Sequence, residues 1–451
     1  MASKFAAVVA FALLFITQAA HALLPIQHWE TKRGARVYFV ANHDLPMLDV
    51  SVDFPAGSAF DSRESAGVAN MTAHLLRLGS PGMDENDIAR SIADVGAQLS
   101  GRFDSDRAGL GLRTLSSVKE RTRALEIFAR VLTQPDFPAP VLEREKVRLI
   151  GALKEADTKP DTIAARSFSR MLYPQHPYGL RSAGEVETVA KITRDDLIAF
   201  HRGHYTAERA VVALMGDVSR EEAAAIAEAV TAALPSGKAE VAPLPAVTHK
   251  PEGTVRWIAH PATQSHILMG MPGIPRDDPD YFALFVGNHV LGGGGFTSRI
   301  NEEVRQKRGL AYSAYSYFSP MLRAGPFVVG MQTQAAQANA ALDVVRKTVS
   351  EFIARGPTAK ELAAAKKNII GGFPLRIDSN RKIHEYLAVI GFYRLPLTYL
   401  DDFTKKVERV TTEDIKSAFQ RHIQPERLVT VVVGPVDDKA AATSVPAAKS
   451  N

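Results

Sequence analysis

Along most of the chain, short apolar runs that stop at glycine, proline or a charged turn alternate with longer stretches of helical period. The segments 36–40 (RVYFV) and 48–54 (LDVSVDF) read as two strands, and so do 254–260 (TVRWIAH) and 265–271 (SHILMGM). Each pair is followed by a predicted helix, over 64–78 and 278–291. The runs 210–215 and 428–433 are apolar at nearly every position, which suits strands buried on both faces.

These similarities form a repeat. Residues 192–217 (ITRDDLIAFHRGHYTAERAVVALMGD) and 410–435 (VTTEDIKSAFQRHIQPERLVTVVVGP) stay in register without a gap. Thr193 matches Thr411, Asp196 matches Asp414, Glu208-Arg209 matches Glu426-Arg427, and Gly216 matches Gly434; Phe200 falls one residue from Phe419. Thr193 and Thr411 are predicted N-caps, each with an aspartate three residues on, close to a capping box. Leu197, Phe200 and Tyr205 form the apolar stripe of the first helix, Ile415 and Phe419 that of the second. Repeats dictate architecture. The expected fold is α+β: two homologous domains, 23–234 and 254–438, each a mostly antiparallel sheet covered by helices, facing each other across a cleft. Residues 235–253, with Pro235, Pro243, Pro245 and Pro251, read as a semi-extended linker, and 439–451 as a disordered tail.

The N-terminus changes the compartment. Lys4, an apolar run over 5–16 and Ala20-His21-Ala22 together read as a signal peptide cleaved near Ala22. The apolar run is too short for a ~20-residue membrane span, and no other stretch approaches one. The expected location is periplasmic or secreted. There is no cysteine, so a core of this size is expected to stand without disulfides. The net charge of +5 is spread among interleaved acids, with no arginine-rich run, which argues against nucleic acid as a partner.

The candidate chemistry lies in two places. The first is Gly67-Val-Ala-Asn70-Met-Thr-Ala73-His74-Leu-Leu76, after a Pro55-Ala-Gly57 turn and before Gly79-Ser80. This context resembles that of the pitrilysin/insulinase (inverted-zincin) peptidases, which carry H-x-x-E-H there: two histidines for Zn²⁺ and a glutamate that activates its water. Here the matching residues are Asn70, Ala73 and His74. The family's third ligand is a glutamate on a later helix, predicted here over 140–156. Anchoring on Pro160 puts Ala152 at that position, fixed spacing gives Ile150, and Glu155 lies one turn on. One histidine cannot replace three ligands and a base. The resemblance therefore implies no metal and no catalytic residue in this chain. Among the thirteen histidines, His201 and His204 have helical spacing but no acidic third ligand beside them.

The second place, 290–313 (VLGGGGFTSRINEEVRQKRGLAYS), resembles the family's second-domain segment. There an arginine and a tyrosine, here Arg305 and Tyr312, bind substrate carbonyls. The physical reason is that guanidinium and phenol donors neutralise charge on a carbonyl oxygen. The 292–295 glycine run lacks the Gly-Lys-Ser/Thr ending of a phosphate loop. It is similar to a loop that touches substrate in non-catalytic subunits of mitochondrial processing peptidases, which belong to that family; this marks Gly293 and Gly294 as substrate-contact candidates. The alternative is a turn that allows close packing. Some bacterial members of the family work as pairs of half-length chains, one with H-x-x-E-H and one with the Arg/Tyr pair. The expected function is thus a non-catalytic, substrate-binding subunit of an exported zinc peptidase complex. Its expected partners are a half-length homologue holding Zn²⁺ and a peptide substrate. The alternative is a scaffold member with no role in proteolysis.

Overall fold

The computed structural model describes residues 25–236, 243–249 and 251–435. The signal sequence and tail expected above lie outside the described residues. Six strands build the first sheet: β1 Gln27–Glu30, β2 Arg36–Ala41, β3 Met47–Phe54, β4 Gln98–Phe103, β5 Ala108–Leu115 and β6 Val211–Gly216. Five build the second: β7 Val255–Ala259, β8 Gln264–Pro272, β9 Ala311–Phe318, β10 Pro326–Gln334 and β11 Val429–Gly434. The strand orders are β1-β2-β6-β3-β5-β4 and β9-β10-β8-β11-β7. Setting β1 aside and reversing the second makes them superpose strand for strand. The only parallel pair in each sheet joins the first strand of the domain to its last, β2 with β6 and β7 with β11.

The repeat extends to the helices. The first domain carries α1 Val68–Leu75, α2 Glu85–Ala93, α3 Val118–Thr133, α4 Ala139–Ala156, α5 Pro160–Leu172, α6 Val186–Lys191, α7 Arg194–His204 and α8 Arg220–Thr231. The second carries α9 Tyr281–Asn288, α10 Ala338–Arg355, α11 Ala359–Gly372, α12 Asn380–Phe392, α13 Tyr399–Arg409 and α14 Thr412–His422. The predicted capping boxes are present on α7, where Thr193 accepts from the Asp196 N–H, and on α14, where Thr411 accepts from the Asp414 N–H. The helix predicted over 64–78 is shorter, because Gly67 takes a left-handed φ of 104° at its N-cap.

The two domains exchange a helix. Helix α5 belongs to the first by sequence but packs on β11 and β8 of the second sheet; α12 belongs to the second but packs on β6, β3 and β2 of the first. This explains why β6 and β11 are apolar at nearly every position. Val212 and Leu214 face their own domain's core, while Ala213 and Met215 meet Leu387 and Ala388 of α12. On β11, Val432 faces inward, while Val429, Val431 and Val433 meet Phe168 and Leu172 of α5. Glycine permits each contact. A Cβ at Gly391 of α12 would lie 2.7 Å from Tyr38 and Val211, and one at Gly270 of β8 3.0 Å from Phe168 and 2.0 Å from the Phe327 carbonyl. Part of the expected linker is also packed: Leu244 is buried in the α5 cluster, and its carbonyl accepts from Arg323 at 2.8 Å.

Such coupling predicts one cooperative unfolding transition. The two tryptophans sit on different sheets, Trp29 on β1 and Trp257 on β7. Single-tryptophan variants Trp29→Phe and Trp257→Phe should give coincident urea midpoints by fluorescence. Phe168→Ala should cost about 3–5 kcal/mol and lower both midpoints together, although the residue belongs by sequence to the first domain. Separate midpoints would show that the exchanged helices do not couple the sheets.

Candidate functional site

Helix α1 presents the degenerate motif. Asn70 and His74 line a cavity of about 230 Å³ between α1, α4 and the edge strand β4. Ala73 lines it with them and is otherwise buried in the first core. From α4 the cavity receives Glu145, Arg148 and Leu149. Ala152 continues that helix face one turn on and is exposed, with only a methyl group to offer. Ile150 turns into the core, and Glu155 pairs with Lys159 at 2.8 Å. Neither supplies an acid to the cavity.

The residue that does so, missed by the sequence reading, is Glu145. Its carboxylate accepts from His74 Nε2 at 2.9 Å, from Arg148 Nε at 2.7 Å and from Arg144 Nε at 3.1 Å. Burial would push this carboxyl up, but the bonds from His74, Arg148 and Arg144 outweigh it and hold the group at about 2. Arg144 in turn makes a two-pronged bond to Glu85. The cavity is also lined by Arg77 and by Arg102, which binds Asp53 Oδ1 at 2.8 Å and Glu385 of α12 at 3.3 Å. Where the resembling peptidases place acid and imidazole around a cation, this chain places guanidinium groups around one carboxylate.

The other histidines raised by the sequence are structural. His201 Nε2 bonds the Leu132 carbonyl at 2.9 Å, His204 Nδ1 that of Pro55 at 3.3 Å, and burial holds both imidazoles down to about 4. His176 bridges the Pro245 carbonyl and the Tyr178 N–H. Among the described residues one trio has ligand atoms within 4.8 Å of one another: Asp278, Asp280 and His422. Arg421 already binds both oxygens of Asp280, at 2.8 and 3.0 Å.

The Arg/Tyr pair lies in the second domain. Helix α9 ends in a wide π turn over His289–Gly293, and a second π turn, Glu302–Gln306, carries Arg305. The glycine run has a steric cause: a Cβ at Gly292 would lie 2.3 Å from Ser316 Oγ on β9, whose hydroxyl and carbonyl bond Asn288. Arg305, Tyr312 and Gly293 line one open cavity of about 550 Å³; Gly294 is beside it but not in its lining. The Arg305 guanidinium stacks between Phe296 and Tyr312, 4.7 Å from each ring. Among the described residues no carboxylate pairs with it. Tyr312 is 81% exposed, and Tyr315 and Tyr317 stack along the same strand with centroids 6.0 Å apart. No residue lines both cavities.

Two measurements follow. The folded carboxyl of Glu145 titrates below its unfolded value, so its contribution is complete above about 4.5 and is lost as pH falls toward about 2. Glu145→Gln should cost about 2 kcal/mol at neutral pH and flatten the melting temperature against pH over that window. An unchanged acid limb would remove Glu145 as its source. Protein purified without chelator should hold no stoichiometric zinc by elemental analysis, given Asn70, Ala73 and Ala152; about one tightly held zinc per chain would contradict this.

Residues 36–184 match the family described as Insulinase (Peptidase family M16), and residues 191–369 match the Peptidase M16 inactive domain. An uncharacterized zinc protease of Mycobacterium tuberculosis is 30% identical over 401 residues, covering 86% of this chain and 89% of the relative. The non-peptidase homolog YmxG of Helicobacter pylori is 27% identical over 401 residues, covering 88% and 91%. Among solved structures, a peptidase M16 inactive domain from Pseudomonas fluorescens has 39% identity and a TM-score of 0.89, covering 92% of this chain and 98% of that one. The periplasmic protease PqqL of Escherichia coli shares the fold at a TM-score of 0.78 with 14% identity, over 46% of its own length. With two matched domains and a metal motif reduced to His74, this chain belongs to the insulinase (M16) peptidase family as one of its inactive-domain members.

Proposed function

We propose that the chain is the non-catalytic, substrate-binding subunit of an exported two-chain zinc peptidase. In this reading a half-length homologue with H-x-x-E-H brings the metal, and this chain brings Arg305 and Tyr312. The observation that supports it is the free Arg305 guanidinium, stacked between two exposed rings at the mouth of an open cavity. Stacking fixes the guanidinium plane, and the absence of a carboxylate partner among the described residues leaves its donors for carbonyl oxygens. A scaffold role gives no reason to hold an arginine and four exposed aromatic rings (Phe296, Tyr312, Tyr315 and Tyr317) in solvent. The sequence over 1–22 supports export.

Mixing the chain with such a partner should give peptidase activity that neither shows alone, read as steady-state cleavage of a fluorogenic peptide. Within the assembled pair, Tyr312→Phe removes one donor while keeping the ring. Loss of a donor to a developing oxyanion costs about 3 kcal/mol, or roughly a hundredfold in kcat/KM. Arg305→Ala should cost at least as much, and neither variant should change assembly on a sizing column. Variants that assemble and cleave at the wild-type rate would leave the scaffold reading in its place.

A further inference from the structure

We propose that the cavity beside the degenerate motif of α1 is a carboxylate-binding site, with Arg77 as its unoccupied donor. Three arginines line it against one acid. Arg102 is neutralised by Asp53 and Glu385, and Arg148 by Glu145, so the existing ion pairs account for two of the three. Among the described residues Arg77 has no such partner. Its Nε is shielded from solvent and finds no acceptor among the described residues, and burial without a nearby acid lowers its pKa.

A half-buried guanidinium left unpaired is costly, and an anion arriving in the cavity would relieve that cost. Gly101 on β4 lies against the guanidinium: a Cβ there would stand 3.5 Å from Arg77 Nε and 3.6 Å from its Nη2, at ordinary contact distance. The Asn70 amide and the bare methyl groups of Ala73 and Ala152 put no negative charge where an acid would repel the ligand. The planar fork of Arg77 matches a carboxylate, which in a peptide is either the C-terminus or an Asp/Glu side chain.

The site is separate from the Arg305/Tyr312 cavity, and its test needs no zinc-bearing partner. Three labelled forms of one neutral decapeptide would be titrated into the full chain by fluorescence anisotropy: C-terminally amidated, free at the C-terminus, and amidated with one internal glutamate. Either acidic form should bind about tenfold to a hundredfold more tightly than the neutral one, and the one that does identifies the source of the carboxylate. Arg77→Met should abolish this preference, Arg77→Lys should keep part of it, and Arg305→Ala should leave it intact. Since the wild-type guanidinium is unpaired, Arg77→Met should melt no lower than wild type, which separates lost binding from lost folding. Equal affinity for all three peptides, or a preference that survives Arg77→Met, would overturn the proposal, while the cleavage assay on Arg305 and Tyr312 would stand or fall independently.

Discussion

The structure depends on the reciprocal packing of α5 and α12. Each domain has a sheet whose inner face is covered by its own helices and whose other face would otherwise present a band of valine, alanine and methionine to water. Val429, Val431 and Val433 are covered by Phe168 and Leu172; Ala213 and Met215 are covered by Leu387 and Ala388. Neither half can therefore bury its central strand alone. Asp106, in the turn between β4 and β5, reinforces the exchange: it accepts from the hydroxyls of Tyr178 and Tyr393 and from the Leu322 N–H. One buried carboxylate thus ties a turn of the first domain to a loop and a helix end of the second. The two candidate cavities are held by one packed framework.

Much of this framework was legible in the sequence. The repeat located both central strands and the helices before them, because an apolar run of that length and a threonine-aspartate cap constrain their segments locally. The exchange was not legible. A helix's period says which of its faces is apolar but not which sheet the face meets, so the segments of α5 and α12 carry no local sign of the distant sheet they cover. The only trace was the two-sided apolar character of 210–215 and 428–433, which requires a second covering layer without naming it. The packing of part of the linker was not legible for the same reason: Leu244 is one apolar residue among prolines, and its burial depends on tertiary neighbours.

The sites divide in the same way. The loss of H-x-x-E-H and the survival of Arg305 and Tyr312 are facts of residue identity at motif positions, so the sequence carried them. The use of Glu145 did not follow, because the resemblance puts the ligand position at Ala152 and no motif marks the acid two turns earlier on the same helix face. The glycine run carried two readings, and packing supplies a cause for three residues of it: a Cβ would lie 2.3 Å from Ser316 Oγ at Gly292, 2.7 Å from Asn288 Nδ2 at Gly293 and 2.6 Å from the His289 carbonyl at Gly294, whether or not these residues touch a peptide.

The electrostatics of the degenerate cavity have changed in kind. In a zinc site, acids and imidazoles can crowd together because the cation between them offsets their repulsion and desolvation. Here Asn70, Ala73 and Ala152 leave Glu145 as the one acid facing His74, and arginines occupy the role of counter-charge. The Nε2 of His74 donates to Glu145 at 2.9 Å, and Arg148 Nη2 stands 3.0 Å from the same nitrogen, so the ring nitrogen that faces the cavity carries a proton and has a guanidinium beside it. A metal ion at that nitrogen would have to displace a guanidinium and then share the cavity with Arg77, which has no acid to offset it. A cavity with that charge is better suited to an anion than to a cation.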